Sequence, residues 1–245
     1  MKKIFLIIFL LSKANVYSQT HKITAQDYYK ASERNVDNHQ YDSAIVNLTS
    51  AINITPLTIF YYNRGLNYYG TNQYKNAVND FDRVLLTEPG NYEAFFFIGQ
   101  CYQRLKRDDL AIQNFSSSIA MKSTENALYG GALSYRQLKK YDLAIKDYQA
   151  LLNIDSKNAD TYYELGYCQE EKDDDINAIK SYTISLNLEP SNPNAYVNRG
   201  ACYANLKQYD LAIKDFTAAL KIDPTLEVAK ENKARCLQEI VYPNR

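Results

Sequence analysis

The chain has 245 residues, with 28 basic and 28 acidic side chains and a formal charge of zero. Because nucleic-acid-binding proteins normally carry a basic excess or a basic stripe, this balance argues against that class. Tyrosine is abundant, with 23 residues, whereas glycine and proline number only 8 and 6. The length and the scarcity of turn residues favour a helical repeat array over a β-sandwich.

The first predicted element is an export signal, residues 1–18. Two lysines precede an apolar run, Ile4–Leu11, and Val16 and Ser18 are spaced like a cleavage site. The run is shorter than the ~20 residues that a membrane-spanning helix needs. The alternative is a short buried or membrane-anchoring helix. We predict cleavage after Ser18 and a short disordered start, residues 19–23.

Six alanines mark an internal repeat in the rest of the chain. They follow one another at intervals of 33 or 34 residues: Ala44, Ala77, Ala111, Ala144, Ala178 and Ala212. Four residues after each alanine, on the same face of a helix, stands a large apolar residue: Leu48, Phe81, Phe115, Tyr148, Tyr182 and Phe216. Twelve residues before each alanine stands a small residue: Ser32, Gly65, Gly99, Ala132, Gly166 and Gly200.

Each repeat predicts two amphipathic helices joined by a short polar turn. The small residue allows two helix backbones to approach, and a proline or serine twelve residues after the alanine ends the second helix. No hairpin buries its apolar face alone, so the hairpins must stack. A last helix, residues 227–240, continues the phase of a first helix, with Ala234 and Leu237 at its small and apolar positions. Its other face is polar, which predicts a cap.

This pattern resembles the tetratricopeptide repeat family over about residues 24–240. The last full repeat carries the family's residues at Tyr196, Gly200, Tyr203, Tyr209, Ala212, Phe216, Ala219 and Pro224. The resemblance implies an all-α, right-handed superhelical solenoid of six helical hairpins plus a C-terminal capping helix. The repeats fill residues 24–226, at about 25–57, 58–91, 92–124, 125–158, 159–192 and 193–226. The first repeat departs most, with Ser32 for glycine and Asn35 for tyrosine.

The four cysteines all fall two residues after the small position of a first helix: Cys101, Cys168, Cys202 and Cys236. Equivalent positions in adjacent hairpins lie about 8–10 Å apart, whereas a disulfide needs Cα atoms within about 7 Å. We therefore predict free packing residues. Disulfides are the alternative in an exported protein.

No catalytic, cofactor or metal site is predicted, and we expect the protein not to be an enzyme. The two histidines, His21 and His39, lie in different segments and assemble no nucleophile with a base. The acidic run at residues 170–175 lacks the ligand spacing and the central glycine of a calcium loop. A solvated turn is the favoured interpretation of that run, with calcium binding as the alternative.

The family resemblance implies that the first helices line a concave groove. The stripe one residue past the core aromatic points into it: Tyr29, Tyr62, Phe96, Tyr129, Tyr163 and Val197. Tyr69 and Tyr167 extend this surface, Arg104 and Arg136 make its middle basic, and Glu170 and Glu171 add an acidic patch. The alternative is that the stripe only packs against its neighbours. Exposed, it would form a long apolar surface that needs a partner.

Asn63 and Asn198 stand where some members of the family that bind chaperones keep one residue of a Lys/Asn/Arg clamp. The positions of the clamp's basic residues hold other side chains, so the clamp is not assembled. The two amides are left to bond a peptide backbone.

The leading hypothesis is an exported interaction module, periplasmic or secreted, that holds an extended peptide or a partner helix in its groove. It needs no cofactor, binds no nucleic acid and is not inserted in a membrane once the signal is removed. Two alternatives stay open. One is a structural scaffold of a larger cell-envelope assembly that uses the convex face or the ends. The other is an accessory chaperone for exported proteins.

Overall fold

The computed structural model describes residues 22–242, which form thirteen α-helices and no strand. The first six are α1 (Ala25–Asp37), α2 (Tyr41–Ile54), α3 (Thr58–Gly70), α4 (Tyr74–Thr87), α5 (Tyr92–Arg104) and α6 (Asp108–Met121). The others are α7 (Glu125–Gln137), α8 (Tyr141–Ile154), α9 (Ala159–Glu170), α10 (Asp175–Leu188), α11 (Pro193–Asn205), α12 (Tyr209–Ile222) and α13 (Glu227–Val241). The predicted signal peptide lies outside the described residues, as does most of the predicted start, of which Lys22 and Ile23 precede α1.

The described helices belong to two compact units, divided after Thr87. In the first unit, α1 packs on α2 and α3 packs on α4, and α2 also packs on α3. The second unit holds four such hairpins, from α5–α6 to α11–α12, and α13 packs on α12. Each second helix of this unit packs on the next first helix, and some first helices also contact each other, as α5 does α7. The predicted all-α fold of stacked helical hairpins is confirmed.

A residue in the left-handed backbone region stands in the turn of every described hairpin. These residues have φ between 56° and 61°: His39, Asn72, Lys106, Lys139, Asp173 and Lys207. In the first turn, the Gln40 N–H donates to the Asn35 carbonyl (2.8 Å) and the His39 N–H donates to the Val36 carbonyl (2.9 Å). This is the Schellman arrangement, which satisfies carbonyls at the end of a helix. The two bonds hold the sharp turn although none of the six residues is glycine.

An aromatic ring from the second helix fills the space beside the small residue of the first. A Cβ atom added at Gly99 would lie 2.8 Å from the Phe115 ring, and the corresponding distance from Gly65 to Phe81 is 3.0 Å. The Phe115 ring also meets the next hairpin, since a Cβ at Gly130 would lie 2.6 Å from it. The ring is fully buried between α5, α6 and α7. Burial of one such ring contributes about 1.5–3 kcal/mol.

Two buried ion pairs tie first helices to second helices. Arg64 donates through Nε and Nη2 to the two carboxylate oxygens of Asp80 (2.8 and 2.7 Å), and Nη1 donates to Thr49 of the preceding hairpin (3.0 Å). Arg199 repeats this arrangement with Asp215. Because each guanidinium contacts both its own hairpin and the one before it, these pairs fix the register between hairpins.

The cap differs from the prediction in the residues that it buries. Ala229 and Cys236 are buried, whereas Ala234 is exposed and Leu237 remains 47% exposed. In the complete hairpins, the positions equivalent to Ala234 and Leu237 pack against the second helix of the same hairpin. In the part of the chain that the structure describes, no second helix follows α13, so the helix buries the face that meets α12 and α11.

The four cysteines are free and buried, which confirms the prediction of packing residues. Burial raises the pKa of the Cys101 and Cys168 thiols to about 12. Asn67 occupies the same position in the second hairpin and is 6% exposed. None of the helices in residues 22–242 has the length and apolarity needed to cross a membrane.

We expect Gly99→Ala to lower the free energy of unfolding, by about 1–3 kcal/mol, because the new methyl group overpacks the buried Phe115 ring. Gly70→Ala is the matched control, since a Cβ there meets nothing within 4 Å and alanine favours a helix by about 0.5–1 kcal/mol. Urea unfolding measures both changes. Equal stabilisation by the two substitutions would contradict the proposed packing role of the ring.

We expect the thiols of the folded protein to react slowly with a thiol reagent at pH 8. The cause is burial, which raises the pKa of Cys101 and Cys168 and keeps the reactive thiolate scarce. Unfolding without a reductant should expose four reactive thiols per chain. A lower count would show that a disulfide forms.

Candidate functional site

The aromatic residues of the predicted stripe are partly buried and contact the ring of a neighbouring helix. In four hairpins that ring belongs to the second helix, with centroid distances of 5.8 Å for Tyr62–Phe81, 6.0 Å for Phe96–Phe115, 6.1 Å for Tyr129–Tyr148 and 5.7 Å for Tyr163–Tyr182. Val197 is buried. Each aromatic side chain of the stripe therefore contributes to packing and also presents part of its surface to solvent.

The first hairpin is the exception to this pairing. Its second helix carries Leu48 where the others carry a ring, and Tyr29 packs instead on Phe60 of the next hairpin, at 5.2 Å between centroids. The Tyr29 hydroxyl accepts a hydrogen bond from Asn63 Nδ2 (3.1 Å). Burial and the neighbouring Glu33 carboxylate raise the pKa of Tyr29.

Asn63 and Asn198 hold the tyrosine of the preceding hairpin. Asn198 Nδ2 lies 3.3 Å from both the Tyr163 and the Tyr182 hydroxyl oxygens, as Asn63 Nδ2 lies beside Tyr29. The amide nitrogens are therefore engaged inside the protein. These contacts give the two asparagines a structural role that the sequence did not predict.

Arg136 and Glu164 form the charged centre of the stripe in the second unit. Arg136 Nη1 lies 3.3 Å from Glu164 Oε2, and the guanidinium carbon lies 5.2 Å from the centre of the Tyr167 ring. Burial raises the pKa of Glu164. Arg136 Nε, Glu164 Oε2 and the Tyr148 hydroxyl are buried and have no hydrogen-bond partner among the described residues. The sequence prediction included Arg136 and missed its acidic partner.

The two residues of the predicted acidic patch, Glu170 and Glu171, lie in different environments. Glu170 is partly buried and accepts a hydrogen bond from the Tyr182 hydroxyl (2.7 Å), and burial raises its pKa. Glu171 is exposed and accepts a hydrogen bond from the Tyr141 hydroxyl (2.7 Å), which raises the pKa of Tyr141 to about 12. Both carboxylates are thus bound to tyrosines of the chain itself.

The remaining two predicted residues lie at the ends of first helices. Tyr69, near the end of α3, packs edge-on against Tyr74 at 5.7 Å between ring centroids. Arg104 is the last residue of α5 and its side chain is exposed. An exposed cation at this place can meet a ligand without first breaking a buried pair.

A cavity of about 720 Å³ opens in the first unit. It lies between α1 and α3 and over Leu48, and the following residues line it: Tyr29, Lys30, Ser32, Glu33, Arg34, Val36, Asp37, Tyr41, Leu48, Asn63, Leu66 and Asn67. The repeat pattern did not predict this cavity. The signal was Leu48, the one residue without a ring at its position in the six repeats.

The described residues 22–242 contain no group of three or more histidine, cysteine, aspartate or glutamate side chains that could hold a metal ion. The first helices offer aromatic surface, tyrosine hydroxyls, amides and a few charges. Such groups recognise a ligand by contact and hydrogen bonding.

Comparison with known families gives three matching segments. A tetratricopeptide repeat model matches residues 193–226, and a second tetratricopeptide repeat model matches residues 132–173. The model of anaphase-promoting complex, cyclosome, subunit 3 matches residues 70–151. These segments lie within the helical hairpins described above.

Solved structures share the fold at low sequence identity. YrrB, a tetratricopeptide repeat protein described as having an unusual peptide-binding site, is 18% identical, with a TM-score of 0.70 over 76% of this chain and 97% of its own. MamA is 23% identical, with a TM-score of 0.62 over 70% of this chain and 96% of its own. MamA from Desulfovibrio magneticus RS-1 is 16% identical, with a TM-score of 0.66 over 69% and 97%. Two segments of the chain, residues 132–173 and 193–226, thus match tetratricopeptide repeats, and the described hairpins share the fold of solved tetratricopeptide repeat proteins.

Proposed function

We propose that this protein binds another protein, and that the side formed by its first helices holds an extended peptide or a partner helix. One observation carries the proposal. Within each unit, the first helices present a row of partly exposed aromatic side chains whose rings are fixed in place by neighbouring rings. Fixed aromatic rings lose little conformational entropy when a ligand binds, which favours them in binding surfaces.

The polar groups of the same row suit a peptide backbone. Tyrosine hydroxyls both donate and accept hydrogen bonds, and the exposed Arg104 adds a cation. YrrB, which has the same fold, is described as having a peptide-binding site, and this agrees with the proposal.

We also propose that the protein works outside the cytoplasm, in the periplasm or after secretion. The support is the sequence of residues 1–18, in which two lysines, an apolar run and small residues follow one another as in a secretory signal. N-terminal sequencing of the protein from its native cells should find Gln19 as the first residue. A mature protein that still begins at Met1 would contradict export by a cleaved signal.

A scaffold role is the second candidate, because α13 leaves apolar side chains exposed at the end of the second unit. Leu237, Ile240 and Val241 are 47%, 45% and 61% exposed. Such a face could join a larger assembly through the end of the repeat array. Crosslinks concentrated on α13 instead of the first helices would favour this role.

Alanine at Tyr62, Phe96 and Tyr129 together should reduce capture of a partner from cell-envelope extract by at least tenfold. The reason is loss of the aromatic contact surface. Because each ring also packs against a second-helix ring, far-UV circular dichroism and thermal unfolding must accompany the capture assay.

Charge reversal gives a version of this test that leaves the packing intact. Arg104→Glu changes an exposed first-helix side chain and should weaken capture, whereas Lys146→Glu makes the same change in charge on an exposed position of a second helix, α8, and should not. Equal capture by both variants and by the alanine triple variant would reject binding on the first-helix side.

A further inference from the structure

We propose that the cavity of the first unit receives an aromatic side chain of the bound peptide, with tyrosine or tryptophan preferred over phenylalanine. This inference rests on the proposed function, because it assigns one subsite of the surface that binds the peptide. It follows from three properties of the cavity: the missing ring, the buried amide in its wall and its size.

The cavity lies in the one hairpin that lacks the ring found in the other five. Phe81, Phe115, Tyr148, Tyr182 and Phe216 are all fully buried at the position that Leu48 occupies in α2. In the third hairpin this ring reaches both its own first helix and the next one, at Gly99 and Gly130. Leu48 is also buried, but its branched side chain is shorter than a ring. Leu48 lines the cavity, which lies between α1 and α3.

A buried amide forms part of the cavity wall. Asn67 lines the cavity and is 6% exposed, at a position where later first helices carry cysteine or serine. Its Nδ2 donates to the Asn63 carbonyl (2.7 Å). The amide oxygen is the atom left for a ligand, and it can accept a hydrogen bond from a tyrosine hydroxyl or a tryptophan N–H. Phenylalanine would leave that oxygen without a bond, which costs binding free energy.

The cavity has ample room for an aromatic side chain of a peptide that lies along the first helices. The volume, about 720 Å³, falls within the range of about 300–1,000 Å³ that ligand pockets usually have. Tyr29 belongs both to the cavity wall and to the aromatic stripe, so the cavity opens on the proposed binding surface. An aromatic side chain entering from there would supply the ring that the repeat lacks.

The charged residues at the rim oppose each other in sign. Glu33 and Asp37 form one row on α1, and Lys30 and Arg34 form the neighbouring row, all with exposed side chains. Exposed charges of mixed sign contribute little to affinity, about 0–1 kcal/mol for a pair. Selection by this subsite therefore depends on the ring and its hydrogen-bonding group.

Leu48→Phe tests the inference by filling the cavity from within. The first probe is p-cresol, the side-chain analogue of tyrosine. Its binding is monitored through the amide chemical shifts in nuclear magnetic resonance spectra of the full chain. We expect p-cresol to shift the resonances of Asn67 and its neighbours in the parent protein and its affinity to fall at least tenfold in Leu48→Phe. Leu86→Phe adds the same ring at a 71% exposed position of the same unit and should change nothing. Toluene should bind more weakly than p-cresol.

The second probe is the peptide that the parent protein captures most tightly from a library of random synthetic peptides. Replacing its aromatic residue with alanine should weaken binding at least tenfold to the parent protein and not to Leu48→Phe. Leu66→Phe, which fills the cavity from α3, provides a second variant if Leu48→Phe is poorly folded.

The outcomes separate the subsite from the proposed function. Capture that depends on the stripe but is unchanged in both cavity-filling variants would overturn the subsite and leave the proposed function standing. If no peptide binds the parent protein, the peptide-binding function fails, and p-cresol still reports whether the cavity accepts a ring. Equal p-cresol affinity for the parent protein and both filled variants would overturn the subsite.

Discussion

The contact between a second-helix ring and a small first-helix residue determines how closely the helices of each hairpin approach. At Gly65, Gly99, Gly166 and Gly200, an added Cβ would come within 2.8–3.0 Å of the ring. The same ring can continue into the next hairpin, as Phe115 does at Gly130. A single side chain thus joins three helices, and the recurrence of the ring in five of the six hairpins stabilises the stack within each unit.

The proposed binding surface depends on the same contact. Four aromatic residues of the stripe pack on second-helix rings, so those rings hold the binding side chains in position as well as filling the core. Where the ring is replaced, as at Leu48, the helices remain in place and an opening is left between them. The first hairpin therefore keeps the helical-hairpin fold without this ring, and the cavity lies in that hairpin.

Much of the fold could be predicted from sequence because the ring, the alanine and the small residue recur with a fixed period. A period of 33 or 34 residues fixes the phase of every helix, and from the phase follow the all-α hairpin fold and the free cysteines. The turns were less predictable, since Lys106, Lys139 and Lys207 adopt a left-handed conformation that their residue type does not favour. The buried face of α13 was mispredicted because the repeat phase assumes a second helix that does not follow in the described residues.

The partners of the site residues could be identified only from the three-dimensional structure. The repeat phase placed Arg136 and Asn198 on the first-helix side, but it does not tell which side chains of the next hairpin they meet. Arg136 meets Glu164, and Asn198 meets Tyr163 and Tyr182, through contacts that join residues of different helices. The cavity over Leu48 is different, because the missing ring was visible in the sequence, whereas the open space itself needed coordinates.

The most direct measurement is a crystal structure of the full chain bound to a captured peptide. The account predicts a peptide that lies along the first helices, with an aromatic side chain between α1 and α3, above Leu48 and within hydrogen-bonding distance of Asn67. A peptide bound to the second helices or to α13, with the cavity over Leu48 left unfilled, would contradict it.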